Sequence, residues 1–170
     1  MQLPDWAGVV SACSADASVS YARGEVCVVM TADCLPVLLC DTQGTVVAAV
    51  HAGWRGLCDG VIEAAVSAMN VPTGGIMAWL GPAIGPQSFE VGAEVCAAFI
   101  EKDSQASAAF HAKGEKYLAD IYQLARMRLN KLGISQIYGG EYCTVLNEAL
   151  FFSYRRDDVT GRMGAFIWLE

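Results

Sequence analysis

Short apolar blocks, set apart by glycine, proline and small polar residues, run the length of the chain. Blocks that are continuous or β-branched read as strands. Residues 25–30 carry Val26, Val28 and Val29, and residues 37–40 follow Pro36, which a strand tolerates at its first position. Residues 41–44 are a turn signal, and 45–50 form the next strand. Continuous apolarity in these strands predicts burial on both faces. Residues 76–80, 136–138 and 165–169 read as further strands, 8–13 as a short opening strand, and 14–18 as a loop.

Other blocks have helical spacing. Val61, Ala64, Ala65 and Ala68 predict a helix over 60–69, preceded by a break at Gly53 and Gly56 and stopped by residues 71–75. Residues 91–100 read as a second helix. Leu118, Ile121, Leu124, Ala125, Leu129 and Leu132 predict a third over 116–132, with Gly133 as its cap. Residues 81–86 form a rigid Gly-Pro loop, 102–114 are looser, 143–152 are extended or mixed, and 155–162 form a polar turn. Interleaved strands and helices predict an α/β or α+β fold, a single domain over residues 1–170.

Composition narrows this. Apolar residues make up 54% and charged residues 17%, so a large core is expected and room is left for an exposed apolar face. The net charge is −7 and there is no basic run. Nucleic acid is therefore not an expected partner, while a small anion held by a local arginine remains open. No apolar run is long enough to span a membrane and the first residues do not form a signal peptide, so a cytoplasmic monomer is the expectation. Seven cysteines, irregularly spaced and without CxxC, predict reduced thiols and not a disulfide framework.

Candidate chemistry gathers between Thr31 and Gly56. Cys34 ends one apolar run and His51 the next, at about the separation of a strand, a tight turn and a returning strand. Cys34 could be a nucleophile with His51 as base, or both could ligate zinc. A buried structural thiol and a hydrogen-bonded imidazole are the plainer alternatives. Asp33 adjoins Cys34, but strand neighbours point to opposite faces, so it is a poor metal ligand. Arg55, beside Trp54, suits phosphate or carboxylate, or a surface ion pair. Trp54, Trp79 and Phe89 read as core, with Phe89 the best candidate to stack on a planar ring. His111 reads as an exposed loop residue, and Arg155, Arg156 and Arg162 as a solvated face or a basic corner. Neither a P-loop, HExxH nor GxSxG is present.

Residues 31–38 and 50–56 closely resemble the YfiH-type laccase-domain family, also called multicopper polyphenol oxidoreductases or peptidoglycan editing factors. The resemblance continues through 80–86, 89–92, 117–120, 151–157 and 160–162. It implies an α/β sandwich of mixed sheets flanked by helices, likened to a cysteine-hydrolase fold with a Cys-His pair. It implies zinc-dependent phosphorolysis of adenosine, inosine or methylthioadenosine, and deamination of adenosine. The implied partners are a nucleoside and phosphate. The family's His-Cys-His metal set maps its cysteine to Cys34 and its second histidine to His51; beside them, Arg55 is expected to steady phosphate or developing negative charge. The first histidine belongs to a Gln-Val-His-Gly string that this sequence lacks, and the resemblance implies a missing segment between Ser14 and Ala15. Three alternatives follow: a cysteine-type amide hydrolase acting on peptidoglycan precursors, a copper polyphenol oxidase, and a non-catalytic remnant. Copper is the less favoured metal, because a blue-copper centre takes two His and a Cys.

Overall fold

The computed structural model describes residues 15–170. The expected strand at 8–13 and the junction after Ser14 lie outside the described residues. The elements in chain order are β1 (Ala17–Ser20), β2 (Cys27–Thr31), β3 (Leu35–Asp41), β4 (Val47–Ala52), α1 (Trp54–Asp59), α2 (Val61–Met69), β5 (Ile76–Leu80), β6 (Glu90–Val91), α3 (Ala93–Lys102), β7 (Phe110–Lys113), β8 (Lys116–Ala119), α4 (Ile121–Lys131), β9 (Gln136–Gly139), α5 (Tyr154–Asp157) and β10 (Met163–Ile167).

These strands form three sheets. The central one has the order β1-β4-β3-β5-β9. It is mixed: β9 runs parallel to β5, and the other pairs are antiparallel. A ribbon of β2 and β10 lies on one face, where Cys27, Val29 and Leu169 pack against Val47 and Ala49. Helices cover the other face. α2 buries Ile62, Ala65, Val66 and Met69, and α4 buries Ile121, Leu124, Ala125 and Leu129. Covered on both sides, β3 and β4 bury nearly every side chain, as their continuous apolarity requires. A small sheet of β6, β8 and β7 lies beside α3. The expected α/β sandwich of mixed sheets and flanking helices is therefore present. Among the described residues, no helix is long and apolar enough to cross a membrane.

The β3–β4 turn is built by one side chain. Asp41 Oδ1 accepts from the main-chain N–H of Thr45 (2.7 Å) and of Val46 (3.0 Å), and Oδ2 accepts from Thr45 Oγ1 (2.7 Å). Gly44 supplies the left-handed residue at φ +66°. Burial pushes the Asp41 carboxyl up, but the donors from Thr45, Val46 and Gln43 together hold it below its ordinary value.

Some local readings needed correction. Ala17 and Ser18, expected in a loop, belong to β1, because main-chain pairing with β4 overrides their weak strand preference. Gly56, expected as a break, lies inside α1, where a Cβ would make only ordinary contacts with Val61 and the carbonyl of His51. The helix expected over 116–132 begins only at Ile121. Gly114, at φ +62°, turns β7 into β8, and Asp120 then caps α4 by accepting from Gln123 N–H at 2.9 Å. His111 lies on β7, not in a loop. Residues 155–157, read as part of a polar turn, belong to α5. Trp79 is 41% exposed and not core. The outer face of the ribbon leaves Met30 64% and Phe166 56% exposed, which accounts for part of the excess of apolar residues.

Asp41→Asn should cost about 1.5–3 kcal/mol at neutral pH, the range for hydrogen bonds to a charged group. A carboxyl held low in the folded state contributes stability above its unfolded pKa, and that contribution is lost as pH falls through the folded pKa. Urea denaturation should therefore show the gap between wild type and Asp41→Asn closing as the solution is acidified. A gap unchanged by pH would overturn the assignment.

Candidate active site

Strand register brings the two sequence candidates together. Leu35 pairs with Ala52 and Pro36 with His51, so Cys34, one residue before β3, lies at the same end of the hairpin as His51. Their side chains meet over Gly53. A Cβ at Gly53 would sit 3.2 Å from Cys34 Sγ, 3.6 Å from His51 Cε1 and 3.8 Å from His51 Nε2. The chain can turn into α1 beneath the pair because this position has no side chain.

Asp16, just ahead of β1, holds His51 from the other side. The His51 main-chain N–H donates to Asp16 O at 2.7 Å, and Nδ1 lies 2.9 Å from Asp16 Oδ1. A proton on Nδ1 satisfies that carboxylate and leaves Nε2 facing the thiol. The hydrogen bond with Cys34 raises the His51 pKa most. Burial lowers it, and the hydrogen bond to Asp16 and the nearby charges raise it further, to about 9 from the ordinary 6.5.

Asp33 shapes the corner that presents Cys34. It is buried and non-glycine, yet has φ +89°, a conformation an L residue holds only when its surroundings enforce it. Asp33 Oδ1 accepts from Thr144 Oγ1 at 2.5 Å, and Oδ2 accepts from the Arg155 main-chain N–H at 2.6 Å. Its own carbonyl accepts from Ile84 N–H at 2.9 Å. Asp33 and Cys34 lie in a bend between β2 and β3, so strand alternation does not apply to them; the carboxylate is taken up by these donors and fastens the segment around Thr144 and Arg155 over the site.

Cys34 opens into a cavity of about 310 Å³, whose lining includes Trp54, Arg55, Phe89, Tyr154 and Arg155. The Arg55 guanidinium stacks 4.4 Å from the Trp54 ring centre. Phe89 is only 5% exposed, so it forms a wall and not a stacking platform. A larger cavity of about 620 Å³ surrounds Tyr122, Arg126 and Cys143 and shares no lining residue with the first.

Cys34, His51 and Arg55 are thus neighbours, and His111 is exposed on β7. Two residues were missed. Asp16 lay in a stretch with only a loop signal, and Arg155 was read as part of a solvated face or of a basic corner able to bind anions, not as a neighbour of Cys34. Among the described residues, no group of three or more His, Cys, Asp or Glu is placed to hold a metal ion. Cys34 and His51 are two donors, and the nearest carboxylates are engaged elsewhere, Asp33 with Thr144 and Arg155 and Asp16 with His51 Nδ1. The described residues therefore do not complete a three-ligand zinc site.

A three-layer α/β protein with a Cys-His pair at the end of its central hairpin is the class that fold and site define. The chain matches, over residues 5–170, the family described as multi-copper polyphenol oxidoreductase laccase, and it belongs to that family. It is 63% identical over 155 residues to the Escherichia coli (strain K12) protein named purine nucleoside phosphorylase YfiH, covering 91% of this chain and 64% of that one. It is 54% identical over 159 residues to a Haemophilus influenzae purine nucleoside phosphorylase, covering 92% and 65%. Among solved structures, a Neisseria meningitidis protein superposes with a TM-score of 0.90 at 54% identity, covering 92% of this chain and 65% of that one. Bacillus licheniformis YfiH gives 0.85 at 29% identity, covering 91% and 61%. The chain thus spans just under two thirds of the length of these relatives.

Two outcomes test the geometry. A histidine whose pKa is raised on folding contributes stability below its unfolded pKa, near 6.5, and that contribution is lost as pH rises through about 9. NMR titration of the His51 ring should give a midpoint near 9, moved down by Cys34→Ser and, to a smaller extent, by Asp16→Asn. A wild-type midpoint at the ordinary value would refute the contact. Asp33→Ala leaves two donors unmatched and should cost about 2–4 kcal/mol in chemical denaturation, from one to two buried hydrogen bonds to a charged group. A loss under about 1 kcal/mol would show that this carboxylate does not hold the segment.

Proposed function

We propose that the working protein is a zinc-dependent purine nucleoside enzyme. Adenosine, inosine or methylthioadenosine plus phosphate would give the free purine and the sugar 1-phosphate, and adenosine plus water would give inosine and ammonia. The observation that carries this reading is the convergence of Cys34 and His51 beside a cavity that Arg55 also lines. The names of relatives identical to this chain at more than half of the aligned positions support it. Cys34 and His51 would supply two zinc donors, with the third coming from outside the described residues. Zinc, when bound, supplies Lewis acidity toward a water or an oxygen. The chain's own residues do the remaining work. Arg55 balances phosphate charge, Trp54 fixes the guanidinium, and Asp16 sets the orientation of the imidazole.

A second reading is favoured by one contact chain. Asp16 holds Nδ1 of His51, and His51 faces Cys34. This is the order of orienting carboxylate, base and nucleophile in cysteine-dependent acyl transfer. It would make the protein a cysteine-type amide hydrolase, with peptidoglycan precursors as the candidate substrates. The copper oxidase reading asks for a second imidazole at Cys34, and the exposed position of His111 on β7 does not offer one.

Purified protein incubated with adenosine and phosphate should release adenine and ribose 1-phosphate, or inosine, detectable by liquid chromatography. Cys34→Ala should lower the rate at least about a hundredfold, as expected for losing a central catalytic group. Turnover that survives this change would sink both enzyme readings. Activity lost on chelation and restored by zinc supports the nucleoside reading. Amide hydrolysis that persists under chelation but ends on thiol alkylation supports the hydrolase.

A further inference from the structure

Arg55 and Arg155 reach one cavity from distant parts of the chain, and the thiol of Cys34 shares it. Neither arginine has a carboxylate within ion-pair distance among the described residues, whereas Arg128 is paired with Glu63 and Arg156 with Asp157. The Arg55 side chain makes no hydrogen bond within the protein among the described residues; its guanidinium lies over the Trp54 ring instead. Arg155 is anchored along one edge only. Its Nη1 donates to the carbonyl of Glu90 at 3.1 Å and, more weakly, to that of Ser88 at 3.5 Å, and the group lies 5.9 Å from the Phe89 ring centre. Its Nε and Nη2 have no protein acceptor among the described residues, so a guanidinium with five donors keeps most of them available. The Arg155 main-chain N–H is fixed to Asp33, the residue before Cys34, so the arginine and the thiol are tied to the same corner.

Two positioned, carboxylate-free guanidinium groups in one cavity are unusual in a chain of net charge −7. At long range such a protein repels phosphate, so binding an anion needs a local concentration of positive charge. A planar fork matches a tetrahedral oxyanion through paired hydrogen bonds, and two forks can hold one phosphate while leaving an oxygen free to react.

We propose that Arg155 joins Arg55 in a two-arginine clamp that binds phosphate beside Cys34. The proposal rests on the nucleoside reading for the identity of the anion, and it assigns the anion subsite to a residue on α5 that sequence pattern placed on a solvated face or a basic corner. The clamp fixes which substrate is anionic. Phosphate is held by Arg55 and Arg155, and the uncharged nucleoside occupies the remainder of the cavity.

Calorimetric titration of inorganic phosphate into the 170-residue chain tests the clamp directly. Arg155→Met and Arg55→Met should each weaken phosphate binding about tenfold or more, the loss of one charge-assisted contact. Arg155→Lys, which keeps the charge but not the fork, should fall between Arg155→Met and wild type and guards against a folding artefact. Arg162→Met, which removes a guanidinium bound, among the described residues, only to the carbonyls of Thr160 and Gly161, should bind like wild type. Adenosine titrated alone should bind Arg155→Met and wild type within about twofold, since an uncharged ligand forms no ion pair with the guanidinium. Equal phosphate affinity in Arg155→Met and wild type would overturn the proposal, as would a site that prefers acetate to phosphate. Phosphate bound through both arginines without nucleoside turnover would leave the clamp standing and refute the nucleoside reading. Turnover without any dependence of phosphate binding on Arg155 would do the reverse.

Discussion

Pro36 lies opposite His51 in the β3–β4 ladder, and the candidate site depends on that register. Side chains alternate faces along a strand, so a slip of one residue would turn His51 away from Cys34 and turn buried residues outward. Both ends of the hairpin are pinned. At the closed end, Asp41 gathers three donors and admits only one way of making the turn. At the open end, Pro36 cannot donate to the ladder, but its carbonyl accepts from Gly81 N–H at 2.9 Å, which ties the hairpin to the Gly-Pro loop. Covering layers on both faces then penalise any alternative register through the burial it would lose.

Asp33 is the second constraint, and it works over longer range. Its carboxylate joins residues 111 and 122 positions away in sequence. Closing loops of that length costs entropy, and a buried charge left unmatched would cost still more. The two requirements meet in one residue, which the surroundings hold in a left-handed conformation that its side chain alone would not favour. The strain lies immediately before Cys34, and the same carboxylate that carries it places Arg155. A residue that looks like a candidate ligand in the sequence is, in the fold, the fastening that assembles the cavity.

The readable part of the sequence was the part determined by local pattern. The β3–β4 hairpin announces itself through two apolar runs about an Asp-Thr-Gln-Gly turn, and the meeting of Cys34 with His51 follows from its length. α2 and most of α4 follow from helical spacing. What failed were decisions made by distant partners. Tyr117 and Leu118 suit either periodicity, and pairing with β6 and β7 makes them a strand. Asp16 shows only a loop signal because its importance lies in where β1 docks along β4. Arg155 sits in a run of charges that resembles any solvated turn. It reaches the cavity because Asp33 captures its main-chain N–H and Ser153 caps α5, accepting from Arg156 N–H at 3.2 Å.

Asp16 is also the point where the two chemistries converge. A metal-binding imidazole and a catalytic base share one need: the nitrogen away from the reaction must be held by an acceptor so that the other nitrogen is aimed. Asp16 meets that need in either case, which is why the same three residues suit a zinc enzyme and a thiol hydrolase. Protonation separates them. A zinc-bound His51 must be neutral, so metal binding has to displace the proton that Cys34 and Asp16 stabilise, and affinity for zinc rises with pH. A thiol mechanism instead uses that proton, because an imidazolium beside Cys34 is the partner that keeps sulfur as thiolate and later donates to a leaving group. The carboxylate that orients the ring therefore favours the imidazolium whenever metal is absent, and a third metal donor is what would reverse that preference.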